Sequence, residues 1–142
     1  MFSHVMIGAE DVEKAKTFYD KVLGTLGIPP WQLETHRDGR LRAHYVTPTG
    51  VFALIQPLNR KPTTNANGST LGFAASSPEQ VEAWHDAGVA AGGTPIEDPP
   101  GCVKAQRVGF IFYLAYLRDL DGNNDLRLAA YGLTHHRRER RH

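Results

Sequence analysis

The chain has 142 residues, of which 41% are hydrophobic and 22% charged, with 16 Lys and Arg against 15 Asp and Glu for a net charge of +1. A chain of this size and mix can bury a core of its own, and no apolar run approaches the roughly 18 residues that a membrane helix needs. The last eight residues, HHRRERRH, hold four Arg and one Glu, so the body without them has 12 basic and 14 acidic residues and is no nucleic-acid surface by charge.

From the N-terminus, FSHVMIG (2–8) has the β-branched and aromatic character of a strand leading to a helix start. Asp11 then stands as an N-cap before Val12, Ala15, Phe18, Tyr19, Val22, Leu23 and Leu26, whose spacings of three and four mark one helical stripe. Gly24 and Gly27 suit a left-handed stop, and Pro29-Pro30 bars continuation. Strands are predicted over 31–37, 41–47 and 51–57, parted by the Asp38-Gly39 hairpin signal and the turn Pro48-Thr49-Gly50. Residues 59–68 (NRKPTTNANG) are a linker by composition.

Beyond the linker a further strand precedes Ser77-Pro78-Glu79-Gln80, a capping-box pattern with proline at the first helical position. This second helix carries Val81, Trp84, Ala87 and Val89 and stops at Gly92-Gly93. A middle strand is placed loosely at 103–108, because 92–101 is rich in Gly and Pro. The last strands are predicted over 110–118 and 125–131, parted by Asp121-Gly122-Asn123. The closing basic stretch reads as a solvated extension, with weak nucleic-acid contact as the alternative.

The two halves repeat. At an offset of 66, His4 falls on Thr70, Asp11 on Ser77, Phe18 on Trp84 and Gly27 on Gly93. Six extra residues then raise the offset to 72, where Ala43 meets Ala115, Tyr45 meets Leu117, and TPTG meets DLDG. The organisation is a first βαβββ module at 1–58, a linker at 59–68, a second module at 69–132 and a tail at 133–142.

Through FSHVMIGAEDVEKAKTFYDKVLGTLG, NGSTLGFAASSPEQVEAWHDAGVAAGG and YLAYLRDLDGNN, taken in order, residues 1 to about 131 resemble the vicinal oxygen chelate superfamily of glyoxalases, bleomycin-resistance proteins and extradiol dioxygenases. The resemblance implies an α+β fold in which two tandem βαβββ modules form an open, cup-shaped mixed sheet with helices outside. It also implies a site on the concave face and a homodimer. Enzymatic members hold a divalent metal with four side chains from the first and last strands of each module.

Carried onto this chain, those positions are His4, Thr70, Leu54 and Leu126. Only His4 is a good ligand; Thr70 is weak and Leu54 cannot coordinate. Strand alternation sends Val5 and Ile7 to the core, leaving Phe2, His4 and Met6 for the cup. Placing Leu126 in the cup would bury Asp125 and Arg127, at high cost. One extra residue near Asn123-Asn124 resolves this and points Arg127 into the cup, where a guanidinium repels a metal but clamps a carboxylate or phosphate. The plainer alternative is an edge-strand arginine reaching solvent. His4 likewise reads, apart from the family, as a strand histidine satisfied by a neighbour.

His44 and Tyr116 occupy equivalent places and line the cup or pack as aromatics. Phe52, Phe2 and Trp31, with 95–107 and the 110–113 run, furnish an apolar wall. His85 is simplest as a helix residue against the sheet, and Cys102 as a loop cysteine.

The expected function is a cup that binds a small organic, anionic molecule without a metal or other cofactor. The alternative is a metal-dependent lyase, isomerase or dioxygenase in which His4, aided by Glu34, His36 or His44, holds Zn, Mn, Ni or Fe. A third reading is a non-catalytic dimeric interaction module. The start MFSHVMIGAED has no secretory layout and Cys102 is the single cysteine, so a reducing cytoplasm is the expected compartment and no membrane partner is expected.

Overall fold

In the computed structural model, residues 1–64, 66–97, 99–105, 110–120 and 126–134 are described. In chain order they form β1 (His4–Gly8), α1 (Val12–Gly24), β2 (Glu34–Thr35), β3 (Leu41–Thr47), β4 (Gly50–Ile55), β5 (Thr70–Ala75), α2 (Pro78–Ala90), β6 (Thr94–Pro95), β7 (Gly101–Ala105), β8 (Phe110–Arg118) and β9 (Arg127–Thr134). The turn at 121–125, the extra residue placed there, residues 106–108 of the predicted middle strand and the extension from 135 lie outside the described residues.

The helix starts follow their caps. Asp11 accepts a hydrogen bond from the Lys14 amide at 3.0 Å, and Ser77 accepts one from the Gln80 amide at 3.1 Å. The Gln80 side chain reaches back to the Ser76 amide, 2.7 Å away, one residue short of the cap itself. Gly27 (φ 77°) provides the left-handed residue after α1, whereas Gly24 remains helical.

The strands form two open mixed sheets, in the orders β1-β4-β3-β2 and β5-β9-β8-β6, with β7 also paired to β8. In each, the first strand runs parallel to the last while the other pairs are antiparallel. This is the arrangement of a βαβββ unit whose helix crosses over between the parallel strands. The glyoxalase-like α+β fold is thus present, as two sheets that share one core. The strand predicted at 31–37 shrinks to Glu34–Thr35, and β9 continues to Thr134, two residues into the expected tail.

In that core α1 packs on α2 as well as on β3 and β4, and α2 packs on β8 and β9. Phe18, Tyr19, Tyr45, Trp84, Leu117 and Leu128 are each no more than 1% exposed in this core. Phe52 of β4 meets Phe73 of β5 edge-on, with ring centroids 5.4 Å apart. The Tyr19 hydroxyl donates to Asp119 Oδ2 at 2.8 Å, tying α1 of the first module to the end of β8 in the second.

Tyr45, fully buried, donates to Asp20 Oδ1 at 2.8 Å. Burial first, then this hydrogen bond to a carboxylate, pushes its phenol far above the usual 10. The unfolded chain releases that proton near pH 10 and the folded chain does not. Stability from this group is therefore intact below about pH 10 and is lost as pH rises toward the folded value. Melting curves from pH 8 to 11 should show Tm falling less steeply in Tyr45→Phe than in the wild type; parallel curves would show that Tyr45 is not the group responsible.

Candidate functional site

Residues paired across neighbouring strands point to the same side of a sheet, so the register sorts side chains into a helix-facing and an outer face. On the first sheet His4 pairs with Val51, and Met6 with Ala53, which in turn pairs with His44. The outer face therefore carries His4, Met6, His44, Val46, Val51 and Ala53. Met6 is 47% exposed and Val46 51%. His4 shares a 2.8 Å hydrogen bond with the Ser3 hydroxyl. Glu34 accepts from Arg42 Nε at 3.1 Å and lies 3.6 Å from His44 Nδ1.

On the second sheet Thr70 pairs with Arg127, Gly72 with Ala129, and Tyr116 with Ala129, so Thr70, Arg127 and Tyr116 share its outer face. Leu126 and Leu128 turn to the core. Arg127 is held on three sides: its Nε donates to the Thr70 hydroxyl at 3.0 Å, an Nη donates to Glu97, and its guanidinium carbon lies 5.3 Å from the centre of the Tyr116 ring. Tyr131 meets Tyr116 edge-on at 6.5 Å and lies over Gly72, where a Cβ would stand 2.7 Å from the ring. Glycine is what lets the ring settle there. Burial and then the neighbouring Tyr131 push the Tyr116 phenol up to about 12, so it is a neutral donor at ordinary pH.

One predicted site residue, Leu54, is corrected. Leu54 is fully buried and Phe52 is 8% exposed, and both face the helices. Phe52 packs against Tyr19, Tyr45 and Phe73. The outer-face positions of β4 are Val51, Ala53 and Ile55, because β4 (GVFALI) is apolar on both faces and alternation alone could not assign them. The repeat offset rises from 72 at Ala43 and Ala115 to 76 in the last strand, so Leu54 matches Ala130 rather than Leu126, and four extra residues stand where the sequence suggests one. With Leu54 itself in the core, its second-module match belongs in the core as well. Cys102 lies on β7 opposite Tyr113, exposed and free, rather than in a loop. Glu97, which sequence reasoning did not single out, is the acidic partner of Arg127. Its position thirty residues away, at φ 57°, left no sequence signal of that pairing.

A groove of about 510 Å³ opens beside His4 and Phe2, bounded by the end of α1, the β3–β4 turn and β5 from Leu71 to Ala74. Phe52 reaches it from the core side. Thr70, Arg127 and Tyr116 lie outside this groove, so one chain does not bring His4 and Arg127 to a common cavity among the described residues.

Among the described residues of one chain, the donors do not converge into a site for a divalent metal. The family positions supply one imidazole, one hydroxyl, an alkyl side chain and a guanidinium that repels a cation, and the outer-face neighbours add the imidazole of His44 and the phenol of Tyr116. Glu34 is engaged by Arg42, and no three His, Cys, Asp or Glu converge among the described residues.

With this fold and these two faces in view, the comparisons place the chain. Residues 1–124 match the model of the Glyoxalase/Bleomycin resistance protein/Dioxygenase superfamily, and the chain belongs to that family. It is similar to a glyoxalase/bleomycin resistance protein from Albidiferax ferrireducens T118, at 48% identity and TM-score 0.79, over 93% of this chain and 98% of that one. A glyoxylase/bleomycin resistance protein/dioxygenase domain from Frankia sp. EAN1pec shares the fold at 17% identity and TM-score 0.66, over 94% and 98% of the two chains. No curated protein matches. No described helix is long and apolar enough to cross a membrane.

Proposed function

We propose that this family member binds a small organic anion on the Thr70–Arg127–Tyr116 face without a metal, and that a homodimer completes the cup. The observation that carries this is the seating of Arg127. A guanidinium fixed by a hydroxyl and an aromatic face is organised to meet a carboxylate or phosphate on two oxygens. Support for the dimer comes from the exposed Met6 and Val46 beside His4, and from the separation of His4 and Arg127 within one chain. A second copy would bring the apolar His4 face of one subunit over the cationic face of the other. The free Cys102 suits a reducing cytoplasm.

The test is thermal denaturation in the presence of a chelator, on protein whose mass light scattering should give as a dimer. Small carboxylates and phosphates are added in turn. A rise in Tm of several degrees with at least one anion, unchanged by the chelator, is the expected result, since a ligand at 100 times its Kd adds about 2.7 kcal/mol. Stabilisation that needs Zn, Mn, Ni or Fe(II) and vanishes in His4→Ala would restore the metal-dependent reading instead.

A further inference from the structure

We infer that Glu97 is a built-in competitor for the anion site, a carboxylate of the chain's own that occupies Arg127 until an aromatic carboxylate displaces it. This rests on the reading of Arg127 as an anion site and adds how that site is kept closed.

Three observations support it. Glu97 donates nothing; its carboxylate oxygen accepts from Arg127 Nη while Thr70 takes Nε. It therefore sits where one oxygen of a ligand carboxylate would sit. Second, the ion pair is at the solvent boundary, with the Arg127 side chain 39% exposed and that of Glu97 41%. Pairs so placed are weak in water, which makes this one displaceable rather than structural. Third, Glu97 lies two residues beyond β6, which is anchored to β8 through Pro95 opposite Leu117. That short tether keeps the carboxylate at high local concentration over Arg127.

The chemistry of the displacing ligand follows from the same contacts. Glu97 is a planar carboxylate, so it marks the site for another, and the Tyr116 and Tyr131 rings beside the guanidinium suit a flat apolar group attached to it. When only a fraction of molecules has Arg127 open, apparent affinity falls by that fraction, so removing the competitor should raise it.

Benzoate, with neutral benzamide as control, is titrated into the full chain by calorimetry at fixed ionic strength. Wild type, Glu97→Gln, Glu97→Gly, Arg127→Met and the Glu97→Gln/Arg127→Met double variant are compared. The glycine variant suits the left-handed backbone and guards against misfolding of the first. Both single Glu97 variants should bind benzoate about two- to sixfold more tightly than wild type, the gain expected from freeing Arg127 of a half-exposed ion pair, with benzamide unchanged, and the double variant should not bind. If the Glu97 variants bind benzoate no better than wild type while Arg127→Met loses it, the competitor is overturned and the anion site stands. If Arg127→Met binds benzoate as well as wild type, or no form binds it, the anion site fails and the role of Glu97 with it.

Discussion

Trp84→Ala should destabilise the protein by about 3–5 kcal/mol, the usual cost of truncating a large buried aromatic. That is a large part of the roughly 5–15 kcal/mol by which a domain of ordinary stability exceeds its unfolded state. Trp84 is fully buried on α2 in the core common to both modules, so the loss would be felt on both sides of the α1–α2 contact. Its Nε1 is buried without a hydrogen-bond partner among the described residues. An orphaned donor already costs about 1–3 kcal/mol, so Trp84→Phe removes a penalty along with some volume. The phenylalanine variant should accordingly lie within about 1–2 kcal/mol of wild type. Urea denaturation followed by circular dichroism measures both; fluorescence would not, since the exposed Trp31 would dominate it. Equal losses for the two variants would mean that volume alone decides the site.

Arg127→Met should abolish binding of a stabilising anion while hardly changing the fold. Hydrogen bonds to a charged group contribute about 1.5–3 kcal/mol each, so losing a two-point clamp corresponds to a fall in affinity of roughly 100-fold or more. The Glu97 ion pair that is lost with it is half exposed, and such pairs contribute about 0–1 kcal/mol to stability. Binding and stability thus separate in this variant. Arg127→Lys keeps the charge but cannot satisfy Thr70 and a planar carboxylate together, and should recover only part of the affinity. A calorimetric titration with the best anion from the thermal screen measures all three forms. An unaltered affinity in Arg127→Met would remove the second face from the binding site.

Much of this molecule can be read from its residues. Strands β3 and β8 fall where alternation between turn residues puts them, at Leu41–Thr47 and Phe110–Arg118. Asp11 and Ser77 cap their helices because each places an oxygen over an open amide. The outward turn of Arg127 was legible too, from the cost of burying it between Leu126 and Leu128. What escaped is long-range. A strand that is apolar on both faces carries no mark of which face meets the helix, so alternation alone does not send Leu54 to the core. Glu97 reaches Arg127 through tertiary placement of a two-residue strand that no pattern announces. The candidate site is therefore half legible: its cation from the sequence, its closing carboxylate only from the fold.

The hydrogen bond between Tyr19 and Asp119 gives the duplication a direction. In the repeat, Tyr19 matches His85 and Asp119 matches Thr47. Neither half can therefore make this bond with a copy of itself: the first module has the phenol without the matching carboxylate, and the second has the carboxylate without the matching phenol. Two halves laid out alike are thus joined at this point by unlike groups, a phenol from one and a carboxylate from the other.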